Sequence, residues 1–507
     1  MARALDVLFV NADAPATAYQ ELSEAYAAIE PPTWSLLLAE SCRAKGYGVA
    51  ILDATAERLT DAQAVQRIIE MRPRLVCFVV YGQNPNSGTT NMAGNTACCA
   101  LLEQTSPDIT TCFVGSHTSA LPRQVLQLPY VDIVLLNEGV YALHSLLATD
   151  LRDDLPRVKG IGHKRGGVPV LNAPERVVPQ ERLDVDLPGY AWDLLPYRRR
   201  PLDLYRAHVW HTEYNHGLRT PFAAIYTSLG CVFRCEFCMI NIINRIDNTD
   251  GIVAAHSPVM RHWSTGFVLD QFETLARMGV ETIRISDEMF FLNKTHYEPL
   301  LTGIVERGIP LRTWSYARVD TVREEYLELF RRAGVRWLAI GIESGDQEIR
   351  RQVSKGSFEA IDVREVVRRI QDAGINVAGN YIFGLPHDTV DTMARTLDLS
   401  LELCTEFANF YPCQALPGSG LHQIARSNGW ALPESFSGYG FLSYDCQPLP
   451  TCHLTAGQVL KFRDEAWHTY FSYPPYLDLV ERKFGAEQRR SVEEMARIRL
   501  KRKLLGH

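Results

Sequence analysis

No apolar run in this 507-residue chain approaches the roughly 20 residues a membrane-spanning helix needs, so it reads as a soluble protein. The opening M-A-R-A-L-D-V-L-F-V-N-A-D-A lacks the apolar region and cleavage site of a secretory signal, and its short apolar stretch reads as a strand. There is no excess of positive charge. With 52 Lys and Arg against 59 Asp and Glu, the net charge of -7 gives no reason to expect a nucleic-acid partner. Twelve cysteines over this length are too sparse for a disulfide framework, which points to a reducing, oxygen-sensitive, cytoplasmic setting. Nine of them, including the adjacent Cys98 and Cys99, are expected to be packed as small apolar residues.

The other three are informative. Cys231, Cys235 and Cys238 stand in S-L-G-C-V-F-R-C-E-F-C-M-I-N, a C-x3-C-x2-C run after the apolar segment 222–226. Three thiolates this close in sequence can hold three irons of a four-iron four-sulfur cluster and leave the fourth iron open to a small chelating ligand. The same run could instead be three core cysteines, or a zinc site completed by a ligand from elsewhere.

Around this run the chain alternates strands and helices twice, with 46% hydrophobic residues and enough length for two cores. In the amino-terminal part, strands are expected at 7–11, 49–53, 75–81, 111–115 and 131–136, with helices near 33–45, 62–71, 92–104 and 121–127. That order predicts a doubly wound parallel sheet over residues 1–150, whose ligands bind at the carboxyl ends of the strands. Residues 151–216 read as a linker wrapping between domains, with a small hairpin in V-K-G-I-G-H-K-R-G-G-V-P-V-L-N. Within it, Arg198, Arg199 and Arg200 read as solvated or interdomain surface rather than as a phosphate site. From 217 to 425, six strands at 222–226, 282–286, 311–316, 337–341, 376–383 and 407–414 alternate with helices. Residues 426–507 are expected to be mostly helical, with Trp467, Tyr470, Phe471 and Tyr476 as a packing face.

The cysteine run and the six repeats resemble the radical S-adenosylmethionine (SAM) enzymes. The resemblance implies a partial (β/α)6 barrel of the TIM type, in which the open iron grips the amino and carboxylate groups of SAM and cluster reduction releases a 5'-deoxyadenosyl radical. On that resemblance, Glu288 in Ser286 to Glu288 meets the methionine amino group. Arg318, with Ser315 beside it, pairs with the carboxylate, and Glu343 takes the ribose hydroxyls. Gly384 in Y-I-F-G-L-P and Gln414 in Q-A-L-P-G approach the adenine, while Asp388 stands near a position the family often gives to glutamate.

The first sheet resembles the Rossmann-like cobalamin-binding domain found ahead of many radical SAM barrels. Gly82 and Gln83 in Y-G-Q-N-P-N-S, Ser116 and His117 in G-S-H-T-S-A-L-P, and Glu138 and Gly139 in N-E-G-V match its corrin rim, although Asn137 and Val140 depart from the usual G-E-G-E. The D-x-H-x-x-G signature that brings a histidine to cobalt is absent, so cobalamin bound without a protein histidine ligand is expected, with His117 as a rim residue. The whole resembles the cobalamin-dependent radical SAM methyltransferases. It implies a 4Fe-4S cluster, SAM and cobalamin as cofactors, a small-molecule substrate methylated at an unactivated carbon or phosphorus in natural-product metabolism, and an electron donor such as flavodoxin or ferredoxin. Ring contraction or oxidative cyclisation on the same cofactors, and a non-enzymatic cobalamin sensor, are the alternatives. A methylthiotransferase is disfavoured, because the expected extra cluster domain and RNA-binding barrel have no counterpart in the motifs.

Overall fold

The computed structural model describes residues 5–81, 87–251, 253–353 and 361–507. Its first sheet takes strands β1 (Val7–Asn11), β2 (Val49–Asp53), β3 (Leu75–Val80), β4 (Thr110–Gly115) and β5 (Ile133–Leu135) in the parallel order β2-β1-β3-β4-β5. These strands are buried on both faces, which is why they read as apolar runs without alternation. The chain reverses direction across the sheet between β1 and β3. That switch opens a crevice at the carboxyl ends of the two strands, lined by Asn11, Asp13, Trp34 and Tyr81.

The hairpin expected in the following segment forms as β6 (Ile161–Arg165) and β7 (Val168–Leu171). It adds to the first sheet by antiparallel pairing with β5. The rest of that segment contributes buried aromatics. Trp210 lies 5.2 Å from Trp314, 5.0 Å from Trp337 and 5.2 Å from Phe407, so a short turn, Val209–Thr212, stops the lower end of the second sheet with rings. Arg198, Arg199 and Arg200 are exposed, and their backbone amides donate to Asp203.

The second sheet contains β8 (Phe222–Ile225), β11 (Thr282–Ile285), β12 (Arg312–Arg318), β13 (Val335–Glu343), β14 (Asn376–Phe383) and β15 (Phe407–Pro412), all parallel and in chain order from β8 to β15. Between β8 and β11, the short strands β9 (Ser228–Gly230) and β10 (Met260–His262) pair antiparallel. Helices flank the sheet, and three more, Ala456–Phe471, Pro474–Phe484 and Ala486–Arg497, close the chain. Tyr470, Phe471 and Tyr476 are fully buried there as a packing face, whereas Trp467 lines a cavity inside the curled sheet.

Asp53 at the end of β2 joins several of these parts. It accepts hydrogen bonds from Asn11 Nδ2 and Tyr205 Oη at 2.9 Å each and from the Ala56 amide at 3.1 Å. Complete burial outweighs these bonds and pushes its carboxyl up to about 6. A folded value above the usual 3.8 means that Asp53 favours folding most below pH 3.8, and that this contribution is lost as pH rises to about 6. Asp53→Asn should therefore lose less melting temperature than the parent between about pH 4 and about pH 6.5. Parallel thermal-melt profiles for the two proteins would refute the raised carboxyl.

Candidate functional site

The cysteine loop leaves β9 through Gly230, whose φ of 85° and close approach to the Val259 carbonyl admit no side chain: an added Cβ would lie 2.1 Å from that oxygen. Cys231 and Cys238 then sit in an apolar cluster with Phe233, Ile240, Met289 and Leu292. The Cys231 amide donates to Asn241 Oδ1 at 2.9 Å, and the Ile240 amide donates to Cys238 Sγ at 3.5 Å. Burial pushes the Cys231 thiol up to about 12 and raises Cys238 well above its ordinary value, with the Glu288 charge adding repulsion at both. Thiols in such a setting ionise when a cationic centre offsets the burial. The donor set, three sulfurs on one loop in an apolar surround, thus fits an iron-sulfur cluster. Among the described residues no three His, Cys, Asp or Glu side chains stand at closed metal-site spacing, so the fit rests on this donor chemistry.

The expected SAM residues gather at the carboxyl ends of the second sheet. Asp287, the middle residue of S-D-E, accepts from the Thr227 amide, Thr227 Oγ1 and Ser228 Oγ, locking the corner between β8 and β9. Ser286 is buried beside it, and its amide bonds to the Ile225 carbonyl at 2.7 Å. Glu288 is aimed elsewhere. Its Oε1 is buried without a hydrogen-bond partner, and burial pushes its carboxyl up to about 7, so a cationic donor there would be strongly held.

Arg318, at the end of β12, is held by both oxygens of Asp320 at 2.9 Å, with its guanidinium 3.7 Å from the centre of the Phe233 ring on the cysteine loop. Ser315 is separated from it. Register puts Ser315 between Ile285 and Leu338, on the face of β12 opposite Trp314, Tyr316 and Arg318, because side chains alternate along a strand. Glu343 ends β13 with φ 64°, left-handed backbone at a register shift beside Gly341. Such strain in a residue with a side chain marks functional positions. Its carboxyl is pushed up to about 7 by burial, against the opposing pull of Arg318. Gly341 leaves it space, since a Cβ there would lie 2.6 Å from Glu343 Oε1.

Gly384 turns at φ 83° with an added Cβ 2.3 Å from Val459, and its amide donates to Asp388 Oδ2. Asp388 also accepts from the Leu385 amide and Thr392 Oγ1, so it braces this turn. Gln414 Nε2 donates to the Gly438 carbonyl at 3.2 Å.

On the first sheet, Gly82 and Gln83 lie outside the described residues. Ser116 is buried against Gly88, where a Cβ would lie 2.1 Å from its Oγ. His117 is buried, with Nδ1 3.2 Å from Thr89 Oγ1 and its ring edge-on to Phe436. Burial lowers its imidazole to about 4, so it is neutral. Asn137 takes φ 50°, replacing the glycine of the family pattern with a residue that tolerates this region. Its Oδ1 accepts from the Gly139 amide.

Glu138 faces inward. Its carboxylate accepts from the Val178 amide and from Arg261 at 2.7 Å, and Arg261 also donates to Asn244 Oδ1 at 3.0 Å. Asn244 donates to Asn241 Oδ1, which holds the Cys231 amide. Sequence reasoning missed this chain of bonds from the first sheet to the cysteine loop, and it missed Arg284. The available signal was a charge at the centre of the buried strand T-I-R-I. Arg284 pairs with Glu30 at 2.7 Å inside a cavity of about 280 Å³, which also touches Gln414, Tyr411 and Trp314. This cavity and the crevice of the first sheet share Tyr19, Glu30, Ser87 and Thr90.

The radical SAM superfamily profile matches residues 225–400, and the B12 binding domain profile matches residues 23–147. A Pyrococcus horikoshii protein described as an uncharacterized methyltransferase is 24% identical over 473 residues, 92% of this chain and 94% of that one. An anaerobic magnesium-protoporphyrin IX monomethyl ester cyclase of Cereibacter sphaeroides is 22% identical over 447 residues, 85% of this chain and 65% of that one. Among solved structures, the radical SAM methyltransferase TsrM of Kitasatospora setae, with cobalamin and a [4Fe-4S] cluster bound, superposes with a TM-score of 0.65 at 17% identity. The match covers 97% of this chain and 100% of TsrM.

Cys231→Ala, Cys235→Ala or Cys238→Ala should each abolish anaerobic SAM cleavage and lower bound iron, while Cys446→Ala and Cys452→Ala should retain both. Full cleavage by any one of the first three would reject the cluster loop. Arg261→Met leaves Glu138 buried and unpaired, so it should cost about 3–5 kcal/mol in urea unfolding, and Glu138→Leu combined with Arg261→Met should recover part of that loss. An Arg261→Met protein as stable as the parent would show the pair to be idle.

Proposed function

We infer that this chain, which belongs to the cobalamin-dependent radical SAM enzymes, is a methyltransferase for a small molecule. One observation carries the reading. The cavity in the second sheet and the crevice at the switch point of the first sheet share Tyr19, Glu30, Ser87 and Thr90 as walls, and Arg284 in the cavity wall lies in the field of Glu288. A substrate there would lie between the cobalamin side and the SAM side. When bound, the cluster supplies the electron that cleaves SAM to a 5'-deoxyadenosyl radical, and the cobalamin supplies the methyl group.

The chain's own residues bind and orient. Cys231, Cys235 and Cys238 hold the cluster. Glu288 accepts N–H bonds from the SAM ammonium, Arg318, braced by Asp320, pairs with its carboxylate, and Glu343 accepts from the ribose hydroxyls. Gly384 and Gln414 border the adenine, Ser286 supports the turn that aims Glu288, and Ser315 is left out of the set by its face. Ser116, His117 and Gly139 border the corrin, and Glu138 fixes that border to the cysteine loop. Aromatic walls exclude water from the cavity, which preserves a reactive radical. The acceptor is an unactivated carbon or a phosphorus in a specialised metabolite.

The similarity to ester cyclases makes oxidative cyclisation the second reading. Turnover with SAM carrying a deuterated methyl group separates the two. Methylation should give one S-adenosylhomocysteine and one 5'-deoxyadenosine per deuterated methyl in the product. Product formed with 5'-deoxyadenosine but without the label would overturn the methyltransferase and favour cyclisation.

A further inference from the structure

The cavity wall carries more chemistry than cofactor binding uses. Its rings include Trp314, Tyr316, Tyr411, Phe441 and Trp467, on β12, β15 and the segments packed over them. His208 and His211 also border it, and burial lowers the first to about 3 and the second well below its ordinary value, so neither imidazole brings charge. Of the cations in the wall, Arg463 is held by the Phe410 carbonyl and Asp464, while Arg284 pairs with Glu30, 2.7 Å apart, with side chains 2% and 7% exposed. Such a pair costs desolvation that a purely structural contact could avoid with apolar residues.

The Arg284 guanidinium is not fully engaged. Nη1 donates to Glu30, Nη2 reaches Tyr316 Oη at a long 3.4 Å, and Nε is buried with no partner. The Nε–Nη2 edge of a guanidinium is the fork that a carboxylate fits with two parallel bonds. The same guanidinium lies 4.9 Å from the Trp314 ring centre and 5.4 Å from that of Tyr316, so an acid on this edge would carry its ring system along the aromatic wall.

A second cavity, of about 430 Å³, shares the walls Leu22, Leu442, Arg463 and Trp467 with the first. Most of its charges are already paired, Lys461 with Glu465 and both Arg463 and Arg502 with Asp464, so it offers an acid no site to match Arg284.

We propose that the substrate is a planar aromatic acid, with its ring along Trp314 and Tyr316 and its acidic group on the unpartnered edge of Arg284. The proposal rests on the reading of this cavity as the substrate site. The cavity has the size of a small-molecule site.

Calorimetry on the anaerobically reconstituted holoenzyme tests this with four probes: 2-naphthoate, 2-naphthamide, cyclohexanecarboxylate and 2-naphthylmethylammonium. 2-Naphthoate should bind at least about ten-fold tighter than each of the others, since it alone combines ring and acid. In Glu30→Gln combined with Arg284→Met, which leaves no unpaired charge, the preference for 2-naphthoate over 2-naphthamide should vanish. Retained preference in that variant, equal binding of all four probes, no binding, or tightest binding of the ammonium would each overturn the proposal. Binding is read without turnover, so loss of the methyltransferase reading through unlabelled product would leave this result standing on its own.

Discussion

The buried pair of Glu138 and Arg261, with side chains 1% and 4% exposed, is the contact on which the site's assembly depends. One partner belongs to the first sheet and the other to β10, 123 residues later. From Arg261 the bonds run through Asn244 and Asn241 to the Cys231 amide, so the position of the cysteine loop is referred to the first sheet by directional bonds. Apolar contact alone would allow the two sheets to slide. Hydrogen bonds to charged groups in a low-dielectric interior do not, because breaking one strands a charge. Arg245 adds a second tie, donating to the Ser119 carbonyl and to Asp247.

The same physics shapes the second sheet's upper end. Glu288 and Glu343 are both pushed up to about 7 by burial. A carboxyl in that condition is poorly solvated, so a cationic or hydroxyl donor meets little competition from water. Asp287 and Asp388 occupy neighbouring positions with opposite fates. Each is consumed by backbone and hydroxyl donors, and each thereby fixes the turn that presents the adjoining residue. At the lower end Trp210 packs among the rings of Trp314, Trp337 and Phe407.

Much of this was legible. Strands 7–11, 49–53 and 376–383 form over the expected residues, because short apolar runs bounded by turn residues have no competing reading within the helical alternation around them. Gly384 and Glu343 fall at strand ends as expected, each on backbone with positive φ. Ser315 was misplaced beside Arg318, although a spacing of three residues along a strand puts two side chains on opposite faces. Glu138 matched a rim motif, but the motif does not tell which way its carboxylate points, and the fold turns it inward to Arg261. Trp467 packs on Phe471 as expected, with ring centres 4.9 Å apart, and it also lines the cavity.

What the sequence by itself determined is the cofactor chemistry and the order of strands. The three cysteines proposed to hold the cluster come from one loop of eight residues, and strand periodicity is likewise a local property, so both are written in neighbouring letters. The tertiary structure decided which polar residues share the cavity. Glu30 and Arg284 are 254 residues apart, one in the connection that leads into the helix at Thr33–Ala44 and the other on β11, and neither carries a local signature of its partner. Their pairing exists because two separately wound layers meet across one cavity, and burial makes the meeting of opposite charges obligatory.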